Sequence, residues 1–157
     1  MPVTDTFEDR AKGVLLGLAC GDALGRPVEF ASPERIQREH GRVSEMLGNG
    51  THRQPAGTIT DDTEMALCIA RSLVGQGRFD PADVAERFVG WYEGGPFDIG
   101  GMTRRALSRI QDGESWETAG ESEWNASPEG SNAGNGSVMR CAPLAIAYAD
   151  YPAALIR

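Results

Sequence analysis

The chain has 157 residues, of which 40% are hydrophobic and 24% charged, so it fits one domain with a buried core and is not disordered as a whole. Its net charge of −8 and isoelectric point near 4.7 argue against a nucleic-acid or membrane partner, because phosphate groups would repel it. The longest apolar run, Val14 to Cys20, is too short to span a membrane, and no signal peptide precedes it, which predicts a cytoplasmic protein.

The first predicted helix runs from Phe7 to about Leu24, with an apolar face formed by Val14, Leu15, Leu18 and Ala19. Glycine recurs on it at every fourth position, at residues 13, 17, 21 and 25. Each interior glycine costs about 1 kcal/mol relative to alanine, so the repeat indicates either close approach by a neighbouring helix or room for a ligand. We favour close packing, which leaves Asp22 as the residue that packing does not explain.

Pro27 must end this helix, because its ring and the restriction it places on Arg26 are incompatible with a helix interior. A short helix capped by Ser32 is predicted from Pro33 to Glu39. The polar segment from Gly41 to Gly57 predicts a long surface loop, and loops of this length are more often functional than idle.

Three further helices are predicted, from just after Thr60 to about Val74, from Pro81 (with Asp80 as N-cap) to about Glu93, and from about Thr103 to Gln111. Trp116 and Trp124 are expected to anchor a short helix in the acidic segment 113–130. Pro143 restricts the next apolar segment to a helical turn, a break and a new helix from Pro143 to Ala149. No alternating strand pattern of useful length occurs, so the predicted fold is all-α, as one domain over residues 1–157.

Cysteine and histidine spacing does not indicate a zinc site. The three cysteines, at positions 20, 68 and 141, lie far apart in apolar runs without a CxxC motif, which predicts reduced, packed thiols. His40 and His52 are twelve residues apart in polar, loop-like sequence.

The segment Thr60-Asp61-Asp62-Thr63 places two adjacent carboxylates between two hydroxyls, just before an apolar helical run. Carboxylate and hydroxyl oxygens are hard ligands that suit Mg²⁺ or Mn²⁺. The alternative is a helix cap, because Thr and Asp are ordinary N-caps and Asp61 with Glu64 has the spacing of a capping box. Taken alone, the segment is more often a cap than a metal site.

A second polar segment, Ser131 to Gly136, is a Gly/Asn-rich turn that leads into Ser137-Val138-Met139-Arg140. Gly134 and Gly136 let the backbone approach an anion closely, and a helix start after them offers N–H groups and a positive dipole end. A flexible turn explains the same composition. The segment is neither a Walker loop nor a Rossmann turn.

Four short motifs follow one another in order: residues 21–25 (Gly-Asp-Ala-Leu-Gly) with Glu29 soon after, Thr60–Thr63, Asp98-Ile99-Gly100, and Gly134–Arg140. Each motif alone is weak, but four in order at sensible separations are specific. Together they closely resemble the N-terminal half of the ADP-ribosylglycohydrolase family, over about residues 9–149.

The resemblance implies an all-α, orthogonal helical bundle that binds two Mg²⁺ or Mn²⁺ ions. The residues that match its N-terminal metal ligands are Thr60, Asp61 and Asp62. Glu29 matches a mobile glutamate near the metals, so the implied catalytic residues are Glu29, Asp61 and Asp62. The implied substrate-binding residues are Asp98, Gly100, Gly101, Gly134, Asn135, Gly136 and Ser137, although the family more often has other residues at positions 101 and 102.

The implied reaction is hydrolysis of the bond between the distal ribose of ADP-ribose and a protein side chain or small-molecule acceptor, through an oxocarbenium-like transition state. The metal pair that the resemblance implies would orient the ribose hydroxyls and hold or activate a water. Glu29 would act as general acid/base or help to position that water. Without the resemblance, Glu29 would be interpreted as a solvated loop carboxylate.

The family completes its metal site from its C-terminal half with an Asp-x-Asp-Thr type motif, and no Asp-x-Asp occurs in this sequence. The apolar segment Tyr151–Arg157 starts a helix and stops without a cap, so we expect a truncated bundle with exposed apolar helix faces. Three hypotheses remain: a hydrolase that needs a missing C-terminal half, a non-catalytic ADP-ribose-binding module, and a structural or self-associating helical protein.

Overall fold

A computed structural model describes residues 6–131 and 134–151, and these residues form helices and loops without a β-strand, so the all-α prediction is confirmed. The helices are α1 (Phe7–Gly25), α2 (Pro33–His40), α3 (Asp61–Gln76), α4 (Pro81–Glu93), α5 (Gly101–Gln111), α6 (Trp116–Ala126), α7 (Gly136–Met139) and α8 (Ala142–Ala147). The chain divides into two compact units, Met1–Thr63 and Glu64–Arg157. A single domain over residues 1–157 stays a prediction.

Helix α1 begins and ends where its local sequence predicts. Thr6 is the N-cap and forms a reciprocal capping box with Asp9. The α-helix ends at Gly25, and the chain continues as a 3₁₀ turn, Arg26–Val28, in which Pro27 occupies the first turn. Proline is tolerated there because its missing N–H has no helical partner at that position.

Among the residues that the structure describes, no element packs closely against the glycine repeat of α1, so the predicted packing is not observed there. A Cβ atom added at residue 13, 17, 21 or 25 would have no heavy atom beyond its own helix within 4 Å, in the part of the chain that the structure describes. Two apolar side chains of the same helix, Val14 and Leu16, are 44% and 65% exposed. The prediction of exposed apolar helix faces is confirmed at these positions.

The other helix starts follow their capping residues. The Ser32 hydroxyl accepts a hydrogen bond from the Arg35 N–H at the start of α2, and the Asp80 carboxylate accepts two backbone N–H bonds at the start of α4.

The burial of the cysteine thiols differs from the prediction: Cys68 is buried, whereas Cys20 and Cys141 are exposed free thiols. The prediction of packed thiols is therefore wrong for two of the three.

Helix α6 is held by an ion pair and not by its tryptophans. Trp116 and Trp124 are 38% and 54% exposed, so their predicted role as anchors is wrong. Glu123 is instead buried, with its carboxylate 2.5 Å from Arg105 Nε and 3.5 Å from Arg109 Nε, both on α5. The hydrogen bond from Arg105 lowers the pKa of Glu123 from its usual value.

The last apolar segment contains the predicted break. Helix α7 ends at Met139, and α8 begins at Ala142, with Pro143 in its first turn, and ends at Ala147. The predicted end at Ala149 was two residues too late. The predicted helix in 152–157, and Asn132 with Ala133 of the glycine turn, lie outside the described residues.

Across the described residues, none of the helices combines the length and apolar character that crossing a bilayer requires. The cytoplasmic location and the absence of nucleic-acid and membrane partners stay predictions.

Asp83 joins the start of α4 to the end of α3, which yields a testable prediction about stability. Its carboxylate accepts hydrogen bonds from Arg87 Nε (2.6 Å) and Gln76 Nε2 (3.0 Å), and the bond from Arg87 lowers the pKa of Asp83 to about 2. A pKa lowered on folding adds stability above the unfolded value, and that stability is lost as the pH falls through the folded value. Asp83→Asn should therefore lower Tm at pH 7, with a difference from the original chain that shrinks between about pH 4 and pH 2.

Thermal unfolding followed by circular dichroism measures this difference. Glu86→Gln removes a charge from an exposed position on the same helix and serves as the matched control. A Tm difference for Asp83→Asn that stays constant from pH 7 to pH 2 would contradict the assigned ion pair.

Candidate active site

The start of α3 is held by a carboxylate from the last turn of α1. Asp22 accepts hydrogen bonds from the Thr60 N–H (2.8 Å) and hydroxyl (2.8 Å), and from the Thr63 N–H (3.2 Å) and hydroxyl (2.5 Å). Both threonines are buried, at 4% exposure. The first N–H groups of a helix have no intrahelical acceptor, so a negative charge at this position satisfies them and complements the helix dipole.

Thr60 occupies the N-cap position of α3, since the helix begins at Asp61. The Asp62 N–H donates to the Thr60 hydroxyl oxygen at 3.3 Å. The Glu64 carboxylate, in turn, accepts the indole N–H of Trp91 at 2.6 Å. The capping interpretation is therefore right about the segment, but its assignment of Asp61 and Glu64 to a capping box is wrong.

Asp62 lies among three other carboxylates. Burial raises its pKa, and the negative charges of Asp61, Asp22 and Glu29 raise it further, against a smaller lowering by the Thr60 hydrogen bond. The charged form of Asp62 is therefore disfavoured by its surroundings. A bound cation would relieve this repulsion, and the carboxylate and hydroxyl oxygens present are the donors that Mg²⁺ and Mn²⁺ prefer, so the residues fit such an ion.

Glu29 follows the 3₁₀ turn, and its side chain is 37% exposed. Its Oε2 atom lies 2.7 Å from Nε2 of His52, a side chain that is only 15% exposed. An ionised carboxylate can only accept, so Nε2 of His52 carries the proton in this bond. The Glu29 carbonyl oxygen also accepts the hydroxyl of Thr51, at 2.7 Å.

Arg26 organises the loop that supplies Thr51 and His52. It is 2% exposed, and its guanidinium donates to five backbone carbonyl oxygens, those of Leu47, Asn49, Gln54, Pro55 and Thr58. Buried carbonyl groups need such partners where the backbone forms no helix or sheet. The loop from Gly41 to Thr60 is thus built around one buried side chain.

The second compact unit contains the other predicted site residues. Asp98 is partly buried and precedes the buried Ile99, Gly100 is the N-cap of α5, and Gly101 is its first residue. The Arg140 guanidinium donates to the Thr103 hydroxyl (3.2 Å) and the Gly136 carbonyl, and lies 5.4 Å from the centre of the Phe88 ring. Arg140 therefore holds the glycine turn close to the start of α5.

The glycine turn itself is largely exposed. Gly134, Asn135 and Ser137 are exposed, and Gly136 begins the four-residue helix α7. A Cβ atom at Gly136 would lie 2.7 Å from Arg140 Nη2, so a side chain at this position would displace the guanidinium.

The structure brings Glu29, Thr60, Asp61 and Asp62 into one compact unit, and the α5 start and the glycine turn into the other. Their catalytic, metal-binding and substrate-binding roles stay predictions. Sequence reasoning noticed Asp22 without explaining it and did not assign a role to Arg26 or His52. The available signal for His52 is the long polar loop that contains it, which is predicted to be functional. Arg26 lies before that loop, and the sequence gives no signal for its role.

Comparison with known proteins gives one consistent result. The ADP-ribosylglycohydrolase family profile matches residues 3–157. The chain is 44% identical over 150 residues to an ADP-ribosyl-(dinitrogen reductase) glycohydrolase of Rhodospirillum rubrum, covering 96% of this chain and 48% of that protein. It is 46% identical over 145 residues to ADP-ribosylarginine hydrolase Tri1 of Pseudomonas putida (strain GB-1), covering 88% of this chain and 36% of that protein.

A solved structure described as an ADP-ribosylglycohydrolase-related protein complex has 42% sequence identity and a TM-score of 0.68. The match covers 93% of this chain and 45% of that chain. The chain therefore spans about half the length, or less, of the relatives it matches.

Proposed function

The chain belongs to the ADP-ribosylglycohydrolase family, and on that premise we propose that it takes part in hydrolysing the glycosidic bond between ADP-ribose and an acceptor. The observation that carries this proposal is the setting of Asp62. Its partly buried carboxylate lies 3.4 Å from the Thr60 hydroxyl oxygen, and the negative charges of Asp61, Asp22 and Glu29 raise its pKa. Such a concentration of negative charge favours binding of a divalent cation next to a candidate general base.

We propose an ADP-ribosylated protein as the substrate, with arginine as the first acceptor to test. Relatives with 44% and 46% identity carry names that refer to ADP-ribosylated dinitrogen reductase and to ADP-ribosylarginine. An ADP-ribose-containing small molecule is the alternative substrate class.

The metal ligands that this chain would supply are Thr60, Asp61 and Asp62, for Mg²⁺ or Mn²⁺. Such an ion, when bound, supplies Lewis-acid stabilisation of charge on the substrate oxygens. Asp22 would keep these ligands in place, because its four hydrogen bonds fix Thr60 and Thr63 on either side of the two aspartates. The family pattern places further ligands on an Asp-x-Asp motif, which this sequence does not contain.

Glu29 is the proposed general acid/base. Its Oε2 atom accepts a hydrogen bond from His52, which leaves Oε1 for the substrate side. We therefore assign proton transfer from the attacking water to Oε1. Partial exposure of the side chain gives water access to it. The transition state would carry positive charge on the ribose, which the surrounding carboxylates stabilise.

The substrate-binding part of the proposal rests on the second unit. Asp98, Gly100 and Gly101 would contact the ADP-ribose at the start of α5. Gly134, Asn135, Gly136 and Ser137 would hold the diphosphate through backbone N–H groups, since glycine at positions 134 and 136 allows close approach. The Arg140 guanidinium, bonded to the Gly136 carbonyl, would keep that turn in shape.

The test is release of ADP-ribose from ADP-ribosylarginine, followed by chromatography, with Mn²⁺ or Mg²⁺ and after chelation with EDTA. We expect release that depends on the metal and falls at least about 100-fold when Glu29 is replaced by glutamine. Calorimetry with ADP-ribose, with and without metal, measures binding separately. Binding without hydrolysis and with little metal dependence would identify a binding module, and neither activity would overturn the proposal.

A further inference from the structure

We propose that the loop around His52 is a positioning device for Glu29, with His52 as the residue that orients its carboxylate. This inference rests on the proposed role of Glu29. It starts from the backbone of residues 49–54, which we call the 49–54 hairpin. The Asn49 N–H donates to the Gln54 carbonyl at 2.7 Å, and the Arg53 N–H donates to the Gly50 carbonyl at 3.2 Å.

The 49–54 hairpin is tightly wound. Asn49, Gly50 and Arg53 all have left-handed backbone conformations, with φ of 62°, 66° and 53°. Glycine and asparagine adopt this conformation readily, so Arg53 is the unusual residue among the three. The hairpin is a tight turn closed by its two backbone hydrogen bonds.

Arg26 supplies part of that constraint. Its Nη1 atom donates to the Asn49 carbonyl at 2.9 Å, and Nη2 donates to the Gln54 carbonyl at 3.4 Å. These two carbonyls belong to the two ends of the hairpin. A single buried guanidinium, on the turn that leads directly to Glu29, thus fixes the base of the hairpin.

Direct backbone contact supplies the rest. A Cβ atom added at Gly50 would lie 2.3 Å from the Pro27 carbonyl oxygen, so the hairpin backbone touches the 3₁₀ turn with no room for a side chain. The Thr51 hydroxyl bonds to the Glu29 carbonyl oxygen at 2.7 Å. The hairpin therefore binds the segment before Glu29 and the backbone of Glu29 itself.

His52, the next residue along the hairpin, binds the Glu29 side chain. Its Nε2–H donates to Glu29 Oε2 at 2.7 Å, and its ring lies 6.5 Å from the ring of Phe30. Phe30 has a left-handed φ of 61°, and its side chain is 83% exposed. In this structure Glu29 is therefore held at its carbonyl oxygen and at its carboxylate, unlike the mobile glutamate that the family resemblance implies.

Such constraint has a catalytic consequence. A glutamate side chain loses rotamer freedom when it is held, and holding it in advance removes that loss from the reaction step. A misplacement of about 1 Å in a catalytic group can lower the rate about 100-fold. His52 would therefore raise kcat by keeping Glu29 Oε1 directed toward the attacking water, without contacting the substrate.

The test uses the full chain and two substitutions of His52. His52→Ala should lower kcat for ADP-ribosylarginine about 10- to 100-fold and leave KM within about twofold. His52→Gln keeps an N–H donor and should recover part of the lost rate. His40→Ala, at an exposed histidine on α2, is the matched control and should leave kcat unchanged.

A double-substitution cycle separates positioning from a general structural role. In a Glu29→Ala background, His52→Ala should cause no further loss of rate, because the group that it orients is gone. An unchanged kcat for His52→Ala, or an equal loss with and without Glu29, would overturn the proposal.

NMR tests the contact between His52 and Glu29 without requiring the chain to hydrolyse a substrate. Nitrogen NMR should show a slowly exchanging Nε2–H on His52 in the original chain, and Glu29→Ala should abolish it. Loss of that signal with no hydrolysis by the original chain would refute the proposed function but support the positioning contact. Its absence from the original chain would overturn the contact itself.

Discussion

Replacing Asp22 with alanine should lower the free energy of unfolding by about 2–4 kcal/mol, because it leaves four donors on α3 without their acceptor. Two of these donors are helix N–H groups and two are threonine hydroxyls, and both threonines are buried. Hydrogen bonds to a charged acceptor contribute about 1.5–3 kcal/mol each, and water entering the gap would offset part of the loss. The Thr60–Asp62 segment should also shift, so hydrolysis should fall below detection.

Urea unfolding measures the stability change, and Asp80→Ala provides the comparison within the same chain. Asp80 caps α4 through two N–H groups of its own helix, so its removal should cost only about 1 kcal/mol. Asp22→Asn is a finer probe, since one acceptor oxygen becomes an NH₂ group that faces donors. If Asp22→Ala were no more destabilising than Asp80→Ala, the four-bond arrangement would be wrong.

The contrast between these two aspartates shows what the sequence could reveal. Asp80 precedes a proline and an apolar helical repeat, so its role as a cap is evident from its immediate neighbours. The partners of Asp22 lie 38 and 41 residues away, and no local pattern connects them. The sequence therefore indicates that Asp22 is unusual, but its hydrogen-bond partners cannot be predicted from the sequence.

The contacts that shape the loop around Arg26 could not be predicted from the sequence for the same reason. Its length and polarity predicted a functional loop, but nothing in the sequence states that one arginine binds five of its carbonyl oxygens. The sequence position of His52 excludes a zinc pair with His40 and indicates no other role. Its contact with Glu29 depends on how the 49–54 hairpin folds back onto the 3₁₀ turn.

Helix boundaries were predicted well and packing was predicted poorly. Helix ends are set by short-range capping and proline chemistry, so α1 and α4 were placed to within one residue or two. Packing depends on which surfaces meet, and glycine spacing in α1 or tryptophan spacing in α6 carries no such information. The candidate site residues came from the order of four motifs, and their roles await the experiments.

Asp62→Asn should change activity and stability in opposite directions. Burial and the charges of Asp61, Asp22 and Glu29 raise the pKa of Asp62, so the ionised carboxylate is disfavoured in the folded chain at pH 7. Asparagine removes that charge at similar volume. Without metal, the variant should therefore be at least as stable as the original chain, and the stability of the original chain should rise as the pH falls through the raised pKa.

The same substitution should lower metal-dependent hydrolysis about 1,000-fold, since it removes several kcal/mol of charge-based stabilisation and each 1.36 kcal/mol is about tenfold in rate. It should also abolish any increase in Tm that Mn²⁺ produces in the original chain, because a ligand stabilises only the state that binds it. Asp83→Asn is the control with the opposite expected result. It removes a carboxylate that is paired with Arg87 and lies outside the candidate site, so it should lower Tm while hydrolysis continues. Without metal, Asp62→Asn could instead lose as much stability as Asp83→Asn. That result would show that Asp62 is a structural cap and not a metal ligand.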